Sequence, residues 1–415
     1  MVELTAQEQT WLAGEGGPAM QLAMQLILAA AEVSGAPHLI PIEMAHINSC
    51  HYSGRLSLDF AEFLIAGGAT LSVPTHTNAS LISCSTPTLR PESENPVEVA
   101  GALRVMEIYE ELGCTSMWTC APYQQPDGRP SFGQHVVGSE SNAVGFFNSV
   151  LGARTNKYGD LLDISAAMVG RVPYSGLHTD EGRRATHVLD VSSLSPSALQ
   201  DPNLPHLLGT FLGRFAGGRV VAIDGLDSAS EDELKAIAAG AAASGGVDMF
   251  HVVGITPEAA TLDAATNGIS VDTTTLTDTD LLAMAGLLST ATGDEQLRSV
   301  CLGTPHFSVA EFLELVVLLD GRRVDEAITV LVTTSRAVSA ELDVRGLTSV
   351  LAEANVDIVL DTCTYYTPIS SGLDGLTMTN SAKWAYYGQG MLGVPVVFAT
   401  LEQCVESAVS GRLIR

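Results

Sequence analysis

From near residue 293 to its end the chain alternates short, almost wholly apolar runs with amphipathic ones. That alternation constrains the fold more than any other feature. Ile328 to Thr333, Val356 to Leu360 and Val394 to Ala399 read as strands. Glu311 to Leu319, Ser335 to Leu342, Thr348 to Ala354 and Glu402 to Val409 read as helices. Strands that are apolar on both faces belong in a parallel sheet covered by helices on each side. Ser308-Val309-Ala310-Glu311 has the spacing of a capping box, and Pro395 inside the last strand favours a sheet edge.

The same pattern, less regular, runs through the earlier part. A capping-box sequence at Thr5 opens the first helix, and Gly17 to Val33 reads as the second. Leu39 to Ile42 and Leu71 to Asn78 read as strands, the latter with a polar tip. Pro96 to Leu112 is a helix that stops at Gly113, and the following residues read as a strand ending at Cys120 before Pro122. Gln134 to Val137, Val220 to Ile223 and Met249 to Gly254 are further strands. Glu231 to Ala243 and Asp278 to Leu288 are helices, and Thr256-Pro257-Glu258-Ala259 is expected to start another. The expected fold is therefore α/β, multi-lobed, with α/β/α parallel-sheet domains. At 415 residues the chain divides into lobes 1–292 and 293–415.

Charge narrows the partners. The net charge of -27 comes from 20 Lys plus Arg against 47 Asp plus Glu, and such a surface repels nucleic acid and anionic membranes. There is no basic-then-apolar leader and no uninterrupted apolar run of membrane-spanning length. Seven widely spaced cysteines, an odd number, suit a reducing cytoplasm better than a disulfide framework.

Three of those cysteines, Cys120, Cys301 and Cys363, stand at the ends of expected strands, where α/β proteins place their chemistry. They could converge on one metal; alternatively they are ordinary buried cysteines. Soft thiolates suit an iron–sulfur cluster or zinc, and three cysteines with His306 would make a structural zinc site. Polar loops supply further candidates: His46 in Ala45 to Tyr52, the run Ala153 to Asp160 with Arg154, Asn156 and Lys157, His178, and Thr379 to Tyr387 with Lys383, one of three lysines. This last segment reads as substrate-facing more than as a packing helix, and Gly388 to Gly393 reads as a turn. Phosphate-loop, His-Glu-x-x-His and nucleophile-elbow motifs are absent.

Several motifs together resemble the aconitase X family. They are Leu39-Ile40-Pro41-Ile42 with Ala45-His46, Thr119-Cys120-Ala121-Pro122-Tyr123, Gly138 to Ala143, Asn148 to Asn156, Gly170 to His178, Gly303 to Ser308, Asp361-Thr362-Cys363 and Asn380-Ser381-Ala382-Lys383. The resemblance implies an aconitase-like fold and a large, catalytic subunit completed by a small swivelling domain that carries a candidate catalytic serine. It implies a hydro-lyase with an iron–sulfur cluster, two-iron or four-iron, or a mononuclear iron, held by Cys120, Cys301 and Cys363. The implied substrate is cis-3-hydroxy-L-proline, with mevalonate 5-phosphate as the alternative. Asp160 beside Lys157 argues against a phosphate. On this reading His46, His178 and Lys383 are the catalytic candidates. Ser141, Asn142, Asn148, Arg154, Asn156, Lys157, His306, Asn380 and Ser381 are the substrate-binding candidates.

Overall fold

A computed structural model describes residues 2–86, 89, 95–291, 296–366 and 375–414. Three parallel sheets follow one another along the chain, and helices cover them. The first contains Thr75–Thr77, Ala45–Ile47 and Val137–Gly138 in that order. The second runs Phe250–Val252, Val221–Asp224, His187–Asp190, Asp272–Thr275. The third runs Val356–Leu360, Thr329–Thr334, Leu297–Phe307, Leu376–Thr379, Val396–Phe398. Leu39–Pro41 pairs antiparallel with Arg171–Pro173. The last strand does lie at an edge, but it begins at Val396, so Pro395 stands just before it rather than inside it. The expected lobe boundary near 293 falls outside the described residues. No helix among them is long and apolar enough to cross a membrane.

The helices obey their local signals. The boxes at Thr5 and Ser308 are both closed, each side chain accepting from the residue three on. Gly170 ends Leu162–Val169 in the left-handed conformation, as a C-cap glycine should. Elsewhere tertiary context prevails. Thr115 makes only an isolated bridge to His76, so no strand leads into Cys120; the backbone there is irregular, with Trp118 at φ 44°. Thr256 to Ala259 forms a turn held by bonds to Val252, and the helix begins later, at Leu262–Thr266. Ala382–Met391 is a helix after all, and it absorbs Gly388 and Gly390 of the expected turn.

The largest correction concerns Cys301. The strand does not end there but continues to Phe307. Leu302 pairs with Val332 and Phe307 with Thr334, so four residues, Gly303 to His306, stand opposite the single Thr333. This bulge throws His306 to the sheet's end while Cys301 stays in register with Leu331, inside the sheet. Gly303 sits at φ 84°, and a Cβ there would lie 2.2 Å from the Thr333 carbonyl oxygen. Gly303→Ala is therefore expected to cost about 3 kcal/mol or more; an unchanged urea midpoint would show that the bulge tolerates a side chain.

Candidate metal centre and active site

Apolar packing brings the site together from distant segments. One core contains Cys120, Leu189, Ile237, Cys301, Leu331, Cys363 and Trp384, drawn from all three sheet regions. At one point within it Cys120, His306 and Cys363, all buried, place their donor atoms within 4.8 Å of one another. The two sulfurs are 3.9 Å apart and Cys363 Sγ is 3.8 Å from His306 Nε2. Two sulfurs on one tetrahedral metal, each about 2.3 Å from it, would be about 3.8 Å apart. The donor set and spacing thus fit a metal ion. All seven cysteines are free thiols.

Each member is fixed by neighbours. The Cys120 carbonyl accepts from Asn142 Nδ2 at 3.1 Å, and Asn142 is locked to Tyr123 Oη at 2.8 Å. The backbone N–H of His306 donates to Cys120 Sγ at 3.3 Å. Thr119 Oγ1 accepts from Ala121 N–H and lies 2.9 Å from His306 Nδ1; because the neutral ring must give its one N–H to the Thr362 carbonyl, the Thr119 hydroxyl is the donor to Nδ1. His306 Nε2 then donates to the Thr362 carbonyl at 3.0 Å. Burial lowers His306 to about 4, so the ring is neutral near pH 7. Cys363 is raised well above the ordinary thiol range by Cys120 beside it and by burial. A metal cation would reverse that preference and release protons.

Lys383 and Glu140 form a buried ion pair at this site. Burial pulls the ammonium down, but Glu140 and Cys120 outweigh it and hold Lys383 above its ordinary value. Glu140 is lowered despite its burial, chiefly by Lys383 and by the Ala143 N–H that it caps. Ser141 Oγ accepts from Lys383 Nζ at 3.2 Å. His46 Nε2 donates to the Thr119 carbonyl at 2.9 Å, and burial lowers this ring too, to about 4. Gln124, which donates to the His306 carbonyl at 3.0 Å, lines a cleft of about 510 Å³ with Tyr123, Phe146 and Ser308.

The structure therefore brings together Cys120, Cys363, His306, His46, Lys383, Ser141 and Asn142. It adds Glu140, which sequence reasoning missed although its place just ahead of a helix matched an N-cap. Cys301 stands outside the donor trio; its sulfur meets Thr364, and burial raises it to about 12. Ser381 caps the helix of Lys383 and donates to the Thr304 carbonyl, with Asn380 just before it. The remaining candidates, Lys157 apart, are committed to the framework. Asn148 bonds to Thr155, Asp248 and Arg183. Asn156 bonds to Ser175 and Leu177. Arg154 reaches the His178 carbonyl and Asp180, and Lys157 is exposed.

His178 is likewise committed: Nε2 meets Tyr158 Oη at 2.7 Å and Nδ1 meets His135 Nδ1 at 3.0 Å. Burial, then His135 and two arginines, lower it to about 3.

Matches to known proteins agree with this architecture. Residues 1–181, 185–286 and 297–410 match the family models described as the first, second and third domains of aconitase X. The chain belongs to the aconitase X family. It is 40% identical, over 99% of its length and 70% of the relative's, to cis-3-hydroxy-L-proline dehydratase of Pseudomonas aeruginosa. It is 38% identical to the enzyme of that name from Hypocrea jecorina, over 99% of this chain and 69% of the relative. The phosphomevalonate dehydratase large subunit of Thermococcus kodakarensis is 34% identical over 98% of this chain and 99% of its own. A crystal structure of Thermococcus kodakaraensis aconitase X in the holo-form superposes with a TM-score of 0.86 at 32% identity, covering 98% of this chain and all of that one.

One prediction follows from the histidines. A histidine lowered by folding contributes stability that is complete above its unfolded pKa, about 6.5, and is lost as the pH falls toward its folded value. His178 contributes in this sense between pH 6.5 and about 3. Urea midpoints at pH 7.5 and 5 should show wild type losing roughly 2 kcal/mol more than His178→Gln; equal losses would refute the assignment.

Proposed function

We propose that this chain carries the metal centre of a dehydratase that eliminates water from cis-3-hydroxy-L-proline. The observation that carries the reading is identity of 38–40%, along nearly the whole chain, to two enzymes of that name. The thiol–imidazole site supports it. The reaction removes the C2 proton and the 3-hydroxyl, and the enamine left behind tautomerises to 1-pyrroline-2-carboxylate. No electrons are gained or lost.

Cys120 and Cys363 would hold an iron or iron–sulfur centre; His306 would replace Cys301 as the third donor in its other tautomer, with Nδ1–H donating to Thr119 Oγ1 and the Nε2 lone pair turned from the Thr362 carbonyl to the metal. The 3.9 Å between the sulfurs supports both thiolates serving one centre. When bound, iron with an open coordination position supplies a Lewis acid for the departing hydroxyl. The chain's own residues prepare the rest. Lys383 stays charged, balances Glu140 and the thiolates, and offers its ammonium to the substrate carboxylate. The His306 N–H steadies the Cys120 sulfur, and Asn142 fixes the Cys120 backbone. His46, neutral with its Nε2–H committed to Thr119, keeps a lone pair on Nδ1.

The phosphomevalonate reading needs cations for a phosphate. Arg154 is engaged by Asp180, Lys157 faces Asp248, and Lys383, the cation assigned to the substrate carboxylate, leaves none of these three for a second, dianionic group. The imino-acid substrate is therefore preferred. The relatives that act on phosphomevalonate are named large subunits, and the hydroxyproline dehydratases extend beyond the matched region. We infer that turnover needs the swivelling domain, fused or separate. The free thiols suit a reducing cytoplasm.

Anaerobically prepared protein should contain iron. Cys120→Ser or Cys363→Ser should remove it, whereas Cys301→Ser should retain most of it. Stoichiometric zinc without iron would defeat this part of the reading and favour a structural site. The substrate is tested by anaerobic assay of the chain with and without the swivelling domain, on cis-3-hydroxy-L-proline, its trans isomer and mevalonate 5-phosphate. Turnover of the cis isomer by the assembled enzyme is expected; turnover of mevalonate 5-phosphate alone would overturn the assignment.

A further inference from the structure

A second polar group lies at the carboxyl end of the first sheet, and its interpretation rests on the imino-acid reading. Ala45–Ile47 and Thr75–Thr77 are neighbouring parallel strands that end at Asn48 and Asn78. Asn78 Nδ2 donates to Asn48 Oδ1 at 2.7 Å, and Asn48 Nδ2 donates to Asp160 Oδ1 at 2.8 Å. The orientation of both amides follows from the last member. A carboxylate only accepts, so Asn48 must turn its NH₂ toward Asp160 and its carbonyl toward Asn78. Asn78 must answer with its own NH₂, which leaves its Oδ1 as the terminal acceptor. That oxygen is buried, its residue 1% exposed, and has no hydrogen-bond partner among the described residues. Burying a carbonyl unpartnered is unfavourable, and native structures rarely do so without a reason. An amide that donates its N–H becomes a stronger acceptor at oxygen, so the chain passes the influence of the Asp160 charge to Asn78 Oδ1.

Two connections tie this chain to the thiol site. Asp163 accepts the Asn48 N–H at 2.6 Å and the Ser139 hydroxyl at 2.9 Å, which fixes Asn48 relative to the residue before Glu140. On the other side the Ala79 carbonyl bonds His51 Nδ1 at 3.2 Å. The His51 ring lies 4.5 Å from that of Tyr366, whose N–H reaches the Cys363 carbonyl at 3.4 Å.

We infer that Asn78 Oδ1, polarised through Asn48 by Asp160, accepts an N–H of a protonated cyclic secondary amine, so that these residues form the imino-acid subsite. Asn78 touches the substrate; Asn48 and Asp160 are positioning residues. A nitrogen-free acid offers this acceptor no charged N–H, at most a neutral hydroxyl, so the subsite favours the imino acid by the charge-assisted bond.

The test uses the assembled enzyme, with L-proline and nitrogen-free cyclopentanecarboxylate as calorimetric probes and cis-3-hydroxy-L-proline as substrate. Wild type should bind L-proline about tenfold or more tightly than cyclopentanecarboxylate, a difference of one charge-assisted bond. Asp160→Asn keeps an acceptor for Asn48 but removes the charge. It should bring the two probes to near parity and raise KM about tenfold while leaving kcat nearly unchanged. Asp160→Glu should restore the preference for L-proline. Asp160 is exposed, so the variant should fold, and a melting curve checks this. No preference for L-proline in wild type, or an unchanged preference in Asp160→Asn, would overturn the subsite. If cis-3-hydroxy-L-proline is still turned over in that case, the substrate reading survives. Turnover of mevalonate 5-phosphate alone would overturn both.

Discussion

His306 pins the molecule together. Its backbone N–H donates to the Cys120 sulfur, its Nδ1 accepts from the Thr119 hydroxyl, and its Nε2–H donates to the Thr362 carbonyl. One buried residue thus joins segments that lie 187 and 56 positions away. Three sheet regions that share one core are thereby held so that two thiols meet. Buried polar groups must be satisfied, and here the satisfaction is available only when all three segments are in place.

The scarcity of bases sharpens the same point. Of the three lysines, Lys235 and Lys383 are buried, each against carboxylates from other parts of the chain. Lys235 joins Asp232 to Glu311, linking the second sheet's helices to the third sheet. Lys383 joins the third region to Glu140 of the first. Such pairs add little net stability against apolar replacements. Here their effect is geometric: each cation is aimed by its partner, and Lys383 is aimed at the thiol site.

The first sheet supplies the other wall. Its strands are only two or three residues long, yet the loops that leave them carry Asn48, Asn78 and Glu140. Asp163, buried and raised to about 6 by burial, ties two of these loops to one carboxylate. Short strands suffice because the loops are held by side chains as well as by the sheet.

Much of the architecture was legible in the residues themselves. Capping boxes, the Gly170 stop and the apolar strands of the last 120 or so residues depend on local sterics and on burial of both strand faces, which are read from neighbours in sequence. Cys120, Cys363, His46 and Lys383 could be picked out as reactive residue types in loop settings. His306 was legible only as a fourth ligand beside Cys301, and which of the two comes near the thiols was not. Cys301 and His306 lie on one strand, and only the bulge opposite Thr333 decides that the histidine reaches the site while the cysteine stays in the sheet. The commitment of Arg154, Asn148 and His178 to the framework was equally hidden, because Asp180, Arg183 and His135 become their partners only after folding. Sequence by itself determined which segments become strands and helices and which residue types are available. Tertiary structure decided which of those residues share a point in space, because hydrogen-bond satisfaction and sheet register join positions that local pattern cannot relate.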